Sequence, residues 1–308
     1  MVIGPGGIGG AVTGALWAGR SDLDLTICGR RTFERLSVTG PGIAVDAPVR
    51  VLTDPSELAP DLGERPVDLV LLATKAYQTA GTQPWLEQIC RPETMVAVLQ
   101  NGVDHRERVQ PLVGASAVLP VVVNLAAERT KPGIIVQRSA GLLTVPDDEH
   151  GRRFADWYSD APIRIRVTED FLTAAWTKLA GNALFGSVGA LTLRKNGVVA
   201  EPDLREYARQ LIGEIITVGR AEGADLPDDL ADQVVTRSLE LAGGHTSSIA
   251  QDRRDDQPLE WEVRNAVIGR KGRQHAIPTP LNDSITALLR IADAGFVAAD
   301  DRYASDRV

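Results

Sequence analysis

Cysteine is nearly missing from this chain of 308 residues: Cys28 and Cys90 are the only two, and they lie in unrelated contexts. That excludes a disulfide framework. His105, His150, His245 and His275 are far apart and show no ligand spacing, so no zinc site is indicated either. Positive charge is also in deficit, with 33 Lys+Arg against 41 Asp+Glu and a net charge of −8, and no basic stripe offsets it. This argues against nucleic acid or an anionic membrane as the main partner, and an anionic small substrate would have to be met by locally placed cations. An apolar leader core is absent too, because glycines appear by Gly4. The sequence therefore predicts no secretory signal and a cytoplasmic protein. Low-complexity tracts and internal repeats are lacking. What remains, 44% hydrophobic and 24% charged, is ordinary for a globular protein long enough for two domains and a large core.

Long uncharged runs are scarce, and the longest carries one conspicuous charge. From Phe171 to Leu193 the only ionisable side chain is Lys178, with Asn182 one helical turn later on the same face. A central Lys, an Asn and three Gly argue against a membrane span. Burying an ammonium costs several kcal/mol unless it is paired, and desolvation lowers its pKa toward the range useful for proton transfer. The alternative is a structural lysine that snorkels or meets a distant carboxylate.

The first half alternates short apolar runs with amphipathic stretches, the pattern of parallel β/α units. Strands are predicted at Leu25–Cys28, Leu69–Thr74, Met95–Leu99 and Ala117–Val123, and helices at Ile8–Ala18, Thr79–Cys90 and His105–Leu112. Gly133–Gln137, Leu142–Val145 and Ile163–Val167 read as strands without intervening helices that extend or cap the sheet. From Thr168 on, helices dominate. One covers Asp203–Glu222, with Tyr207, Leu211, Ile215 and Val218 at helical spacing; others are opened by Pro258, running to about His275, and by Pro280. The fold class is thus α/β followed by all-α, with residues 1–167 and 168–308 as domains and a frayed tail after Val297.

Gly4-x-Gly6-x-x-Gly9 stands between a strand end and a helix. The first glycine permits the tight turn, the second lets backbone approach a pyrophosphate, and the third lets helix pack on strand. Gly7, Ile8 and Gly9 then open a helix whose free N–H groups and positive dipole end suit phosphate. Only Met1–Ile3 precede the turn, an unusually short strand that leaves an upstream start codon open. At the end of the second strand an NAD site places an acid and an NADP site an arginine. Here Arg30 and Arg31 stand there without an acid, which favours NADP(H). Lys75 and Asn101 end two further apolar strands, where ligands meet open α/β sheets; each could instead cap the following helix.

These pieces, with AWTKLAGN, KNG, SSIAQD, LEWEVRNAV and GRQHAIPTPLN, follow in an order and spacing that resembles the ketopantoate reductase family from Gly4 to about Leu289. The resemblance implies NADPH-dependent reduction of a 2-keto acid, an N-terminal Rossmann-type domain, a helical C-terminal domain, and a cleft between them. It implies Lys178 as proton donor to the ketone oxygen, with Glu260 helping to set the lysine's charge and touching the cofactor or substrate. Glu262 is a rival for that role, which the family frame assigns to Glu260. Asn182, Asn196, Ser248 and Asn101 match substrate-binding positions. Gly4, Gly6, Gly7, Ile8, Gly9, Arg30, Arg31, Lys75, Asn101 and Glu260 match the cofactor side, as does Ala126 through its backbone. The implied partner is a small anionic keto acid, and long apolar helices in the second half are consistent with a homodimer.

One position departs from the family. Four residues after Asn182, where a further asparagine is often found, this chain has Gly186, with Ser187 beside it as a candidate replacement. Losing an amide can change substrate choice. A related reductase of another keto substrate therefore stays open, as does a non-catalytic NADP-sensing protein.

Overall fold

The computed structural model describes residues 1–58, 66–240 and 246–302, except for the side chains of 238–240 and 294–302. Contacts divide the chain into two units, Met1–Phe171 and Leu172 onward.

In the first unit, Val2–Ile3 (β1), Thr26–Cys28 (β2), Arg50–Leu52 (β5), Leu69–Leu72 (β6), Met95–Val98 (β7) and Ala117–Pro120 (β8) form a six-stranded parallel sheet. Its order is β5-β2-β1-β6-β7-β8, with Val2 paired to Ile27 on one side and Leu71 on the other. β6 and β7 are buried throughout, as a parallel sheet covered on both faces requires. Alternate residues go to opposite faces. Leu69 and Leu71 join a core with Val12, Leu16, Leu36, Val38 and Ile135; Val70 and Leu72 join another with Leu86, Ile89 and Val109. Each such aliphatic side chain contributes about 1.5–3 kcal/mol by burial.

The helices Gly7–Gly19 (α1), Gln83–Ile89 (α2) and His105–Val113 (α3) fall where the sequence places them, although a short 3-10 turn, Ala80–Thr82, replaces the predicted start of α2. Several strands were not foreseen. Arg35–Gly40 (β3) and Ile43–Pro48 (β4) make a hairpin between β2 and β5, and pair with Ala127–Lys131 (β10) and Ile134–Gln137 (β11) in a sheet of order β10-β11-β3-β4. Ala117–Val123 is not one strand: Val122–Asn124 (β9) leaves β8 for a third sheet with Leu142–Pro146 (β12) and Arg164–Thr168 (β13). The later strands therefore build separate sheets and do not extend the first. A helix, Glu149–Trp157 (α4), also intervenes between β12 and β13. Asp148 caps it, accepting from the Gly151 N–H at 2.8 Å.

The second unit is helical: Phe171–Thr192 (α5, its first residue still in the first unit), Pro202–Ala221 (α6), Leu230–Glu240 (α7), Ser248–Arg254 (α8), Val267–Gln274 (α9) and Pro280–Arg302 (α10). α6 buries Leu211, Ile215 and Val218 at the predicted spacing. α10 continues past Val297, where fraying was expected; residues 303–308 and His245 lie outside those described. Glu214 of α6 receives the N–H groups of Leu281 at 2.8 Å and Asn282 at 3.0 Å, placing a carboxylate at the positive end of α10. Pro258 does not open a helix. The chain stays irregular to Trp261, and a π-helical turn, Glu262–Ala266, leads into α9. Among the described residues no helix is long and apolar enough to cross a membrane.

Candidate active site

The strand order of the first sheet reverses between β1 and β6, and ligands of open α/β sheets bind beyond the carboxyl ends of strands at such a point. The residues following those ends are Gly4, Gly29–Arg31, Lys75 and Asn101. Gly4 has φ of +92°, and its carbonyl accepts from the Gly6 N–H at 2.8 Å, closing the turn. Gly6 is the N-cap of α1, without a side-chain cap and with no acid in the first turn. A Cβ on Gly6 would meet nothing within 4 Å, whereas one on Gly9 would lie 2.3 Å from the Gly4 carbonyl and 2.9 Å from Ala73 Cβ. An open space over an uncapped helix N-terminus fits a pyrophosphate, and the tight seat of Gly9 holds the helix against the strand.

Arg30 and Arg31 are exposed beyond β2; Lys75 and Asn101 are half-buried beyond β6 and β7. Arg108, which the sequence analysis did not single out, fixes the end of β7. Its guanidinium donates to Gln100 Oε1 at 2.6 Å, the Asn101 carbonyl at 3.1 Å and Asp104 Oδ1 at 2.9 Å. Ala126 follows β9. Its N–H is committed to Ser139 Oγ at 3.0 Å and its carbonyl already accepts from Arg138 N, so what it can offer a ligand is the carbonyl's second lone pair.

In the second unit, Lys178 and Asn182 lie one turn apart on α5, both partly accessible. Burial in this apolar helix, followed by repulsion from Arg264, lowers the Lys178 pKa from 10.5 to about 8, with Glu260 pulling the other way. Glu260 is buried and Glu262 exposed, which separates the two glutamates by environment. Glu260 precedes the helical turn, whereas Glu262 opens it.

The π turn has a local effect. Trp261 carbonyl accepts from the N–H groups of Arg264, Asn265 and Ala266, and the widened turn sends Val263, Arg264 and Asn265 inward in succession. Arg264 is 2% exposed, and burial depresses the pKa of its guanidinium. Nη2 donates to Ser248 Oγ at 2.8 Å and stands 3.9 Å from Glu260 Oε2, and Nε has no partner among the described residues. Ser247, not Ser248, caps α8, which leaves Ser248 exposed with its hydroxyl on Arg264.

Arg264 also explains the space at Gly186. A Cβ there would lie 3.5 Å from its Nη1, 3.6 Å from its Cδ and 3.2 Å from Ile249 Cγ2. Ser187 does not substitute for a missing amide: its hydroxyl is fully buried and bonds back to the Ala183 and Leu184 carbonyls at 2.6 and 3.1 Å. Asn196 opens a 3-10 turn, Asn196–Ala200, and its buried Oδ1 has no partner among the described residues. The unit thus gathers Lys178, Glu260, Arg264 and Ser248: an ammonium with a pKa lowered to about 8, a buried carboxylate, a second cation and a hydroxyl. Arg264 was visible in LEWEVRNAV only as one of three charges.

Family models described as "Ketopantoate reductase PanE/ApbA" and "Ketopantoate reductase PanE/ApbA C terminal" match residues 1–149 and 170–293. A 2-dehydropantoate 2-reductase of Caulobacter vibrioides is 43% identical over 295 residues, 94% of this chain and 98% of that one. Its counterpart in Mycobacterium tuberculosis is 38% identical over 298 residues, covering 96% and 97%. The structure of a dimeric ketopantoate reductase from Staphylococcus aureus superposes with a TM-score of 0.81 at 25% identity, covering 96% of this chain and 98% of that one.

Proposed function

This chain belongs to the ketopantoate reductase PanE/ApbA family, and from that premise we propose that it reduces 2-dehydropantoate to pantoate with NADPH. NADPH, when bound, supplies the hydride for the ketone carbon. The chain's own share is a proton for the ketone oxygen and the placement of both reactants. The observation that best supports this is Lys178, whose pKa of about 8 keeps it largely protonated at neutral pH yet acidic enough to give the proton up. Glu260 maintains the lysine's charge; Asn182, Asn196, Ser248 and Asn101 hold the substrate.

The first unit serves the cofactor. Gly4, Gly6, Gly7, Ile8 and Gly9 receive the pyrophosphate, Arg30 and Arg31 the 2′-phosphate, and Lys75, Asn101 and the Ala126 carbonyl the remainder. The helical unit serves the substrate and, in a cytoplasmic homodimer, subunit contact. The test is NADPH oxidation across a panel of 2-keto acids that includes ketopantoate. Turnover with ketopantoate well above the others supports the assignment, and a clear preference for another acid overturns the substrate.

A further inference from the structure

Two buried or half-buried cations, Lys178 and Arg264, share their surroundings with one buried carboxylate, Glu260. Asp252 on α8 adds a weaker attraction on Arg264 from a partly solvated position. Glu260 does not satisfy Arg264: a separation of 3.9 Å is the outer limit of an ion pair, and Nε has no partner among the described residues. A buried guanidinium held this loosely is costly, and an anion arriving beside it offsets that cost through charge-assisted hydrogen bonds.

The direction of the side chain is set by its neighbours. Nη2 reaches out to the exposed Ser248, and Nη1 lies along Gly186. Lys178, Asn182 and Gly186 are spaced by four and share one face of α5. Arg264 therefore lies against the face that carries the proton donor, in room that exists because residue 186 has no side chain. A side chain longer than a methyl group at 186 would displace it.

We propose that Arg264 is a substrate-binding and specificity-determining residue, its guanidinium receiving the carboxylate of the 2-keto acid while Lys178 serves the ketone. This rests on the reductase reading above. Planar carboxylate and guanidinium match in a way that the ammonium of lysine does not, and the pairing selects acids over neutral ketones.

The experiment compares ketopantoate with its neutral amide in the wild type, Arg264→Met and Arg264→Lys. For Arg264→Met, KM for ketopantoate rises about 30- to 100-fold with a much smaller change in kcat, while kinetics with the amide change less than about threefold. Arg264→Lys recovers only part of the affinity. Equal losses for acid and amide would mean that Arg264 is structural and would overturn the proposal. If Arg264→Met does not fold, Gly186→Leu, which crowds the guanidinium without adding a polar contact, reads the same contact from the other side, and the same acid-selective loss is expected. If the wild type reduces no 2-keto acid, the reductase reading fails on its own. Calorimetric titration of oxamate into wild type and variant then still tests the anchor, with binding at least about tenfold weaker in the variant expected and equal binding overturning it.

Discussion

Glu260 and Arg264 are four residues apart with both side chains buried, yet their nearest charged atoms stand 3.9 Å apart. The carboxylate therefore acts on Lys178 as well, raising a pKa that burial and Arg264 lower to about 8. Glu260→Gln removes the only attraction among these causes, so the Lys178 pKa falls further. If protonated Lys178 is the donor, activity is lost as pH rises through that pKa, and the alkaline limb of kcat moves to lower pH in the variant. A limb unmoved in a kcat–pH profile would assign the proton to another group.

Lys178→Ala should lower kcat by roughly a hundred- to ten-thousand-fold, the usual worth of a positioned acid. NADPH affinity, followed by fluorescence titration, should stay within about threefold, because Lys178 is not among the cofactor contacts and all of these but Glu260 lie in the first unit. Unchanged turnover would remove Lys178 from the chemistry.

Arg30→Ala combined with Arg31→Ala should weaken NADPH by about 100-fold while leaving NADH within a few-fold, since charge-assisted contacts contribute about 1.5–3 kcal/mol each and only NADPH carries the 2′-phosphate. Dissociation constants for both nucleotides decide it; parallel losses would mean that the arginines serve a part common to both.

Two glycines of one turn should fail in different ways. At Gly9 a methyl group would sit 2.3 Å from the Gly4 carbonyl, so Gly9→Ala should lower Tm by about 5 °C, as overpacking by a few kcal/mol does. At Gly6 φ is −79° and the space is open, so Gly6→Ala should keep Tm and lose NADPH affinity by about tenfold or more. Calorimetry and titration on the two proteins separate seat from cradle; a Gly6→Ala protein with native affinity would sink the pyrophosphate assignment.

The parallel sheet was readable because β6 and β7 are continuous apolar runs between turn residues, and α6 because its apolar residues repeat with helical period. β11, β12 and β13 were also readable as short apolar runs, but not β3, β4 and β10, nor the grouping into a second and third sheet. β10 is Ala127–Lys131, almost wholly exposed, and carries no apolar alternation from which pairing could be inferred. Pro120 ends β8 and lets the chain change sheets inside what reads as one hydrophobic run. Lys178 announced itself by isolation in an apolar helix. Arg264 did not: it stands among three charges in LEWEVRNAV, and an irregular chain to Trp261 followed by a π turn offers no regular period from which its burial could be read.

That turn makes the position of Arg264 a matter of chain length as well as identity. With one residue fewer between Glu260 and Val267, the segment would close as regular α-helix, and everything before it would shift in phase by about 100° relative to α9. An arginine grafted at the same alignment column of a chain lacking the extra residue would point elsewhere. Transplanting the proposed carboxylate anchor to another scaffold would therefore need an insertion together with the Gly–Arg pair, and a substitution series alone would miss it.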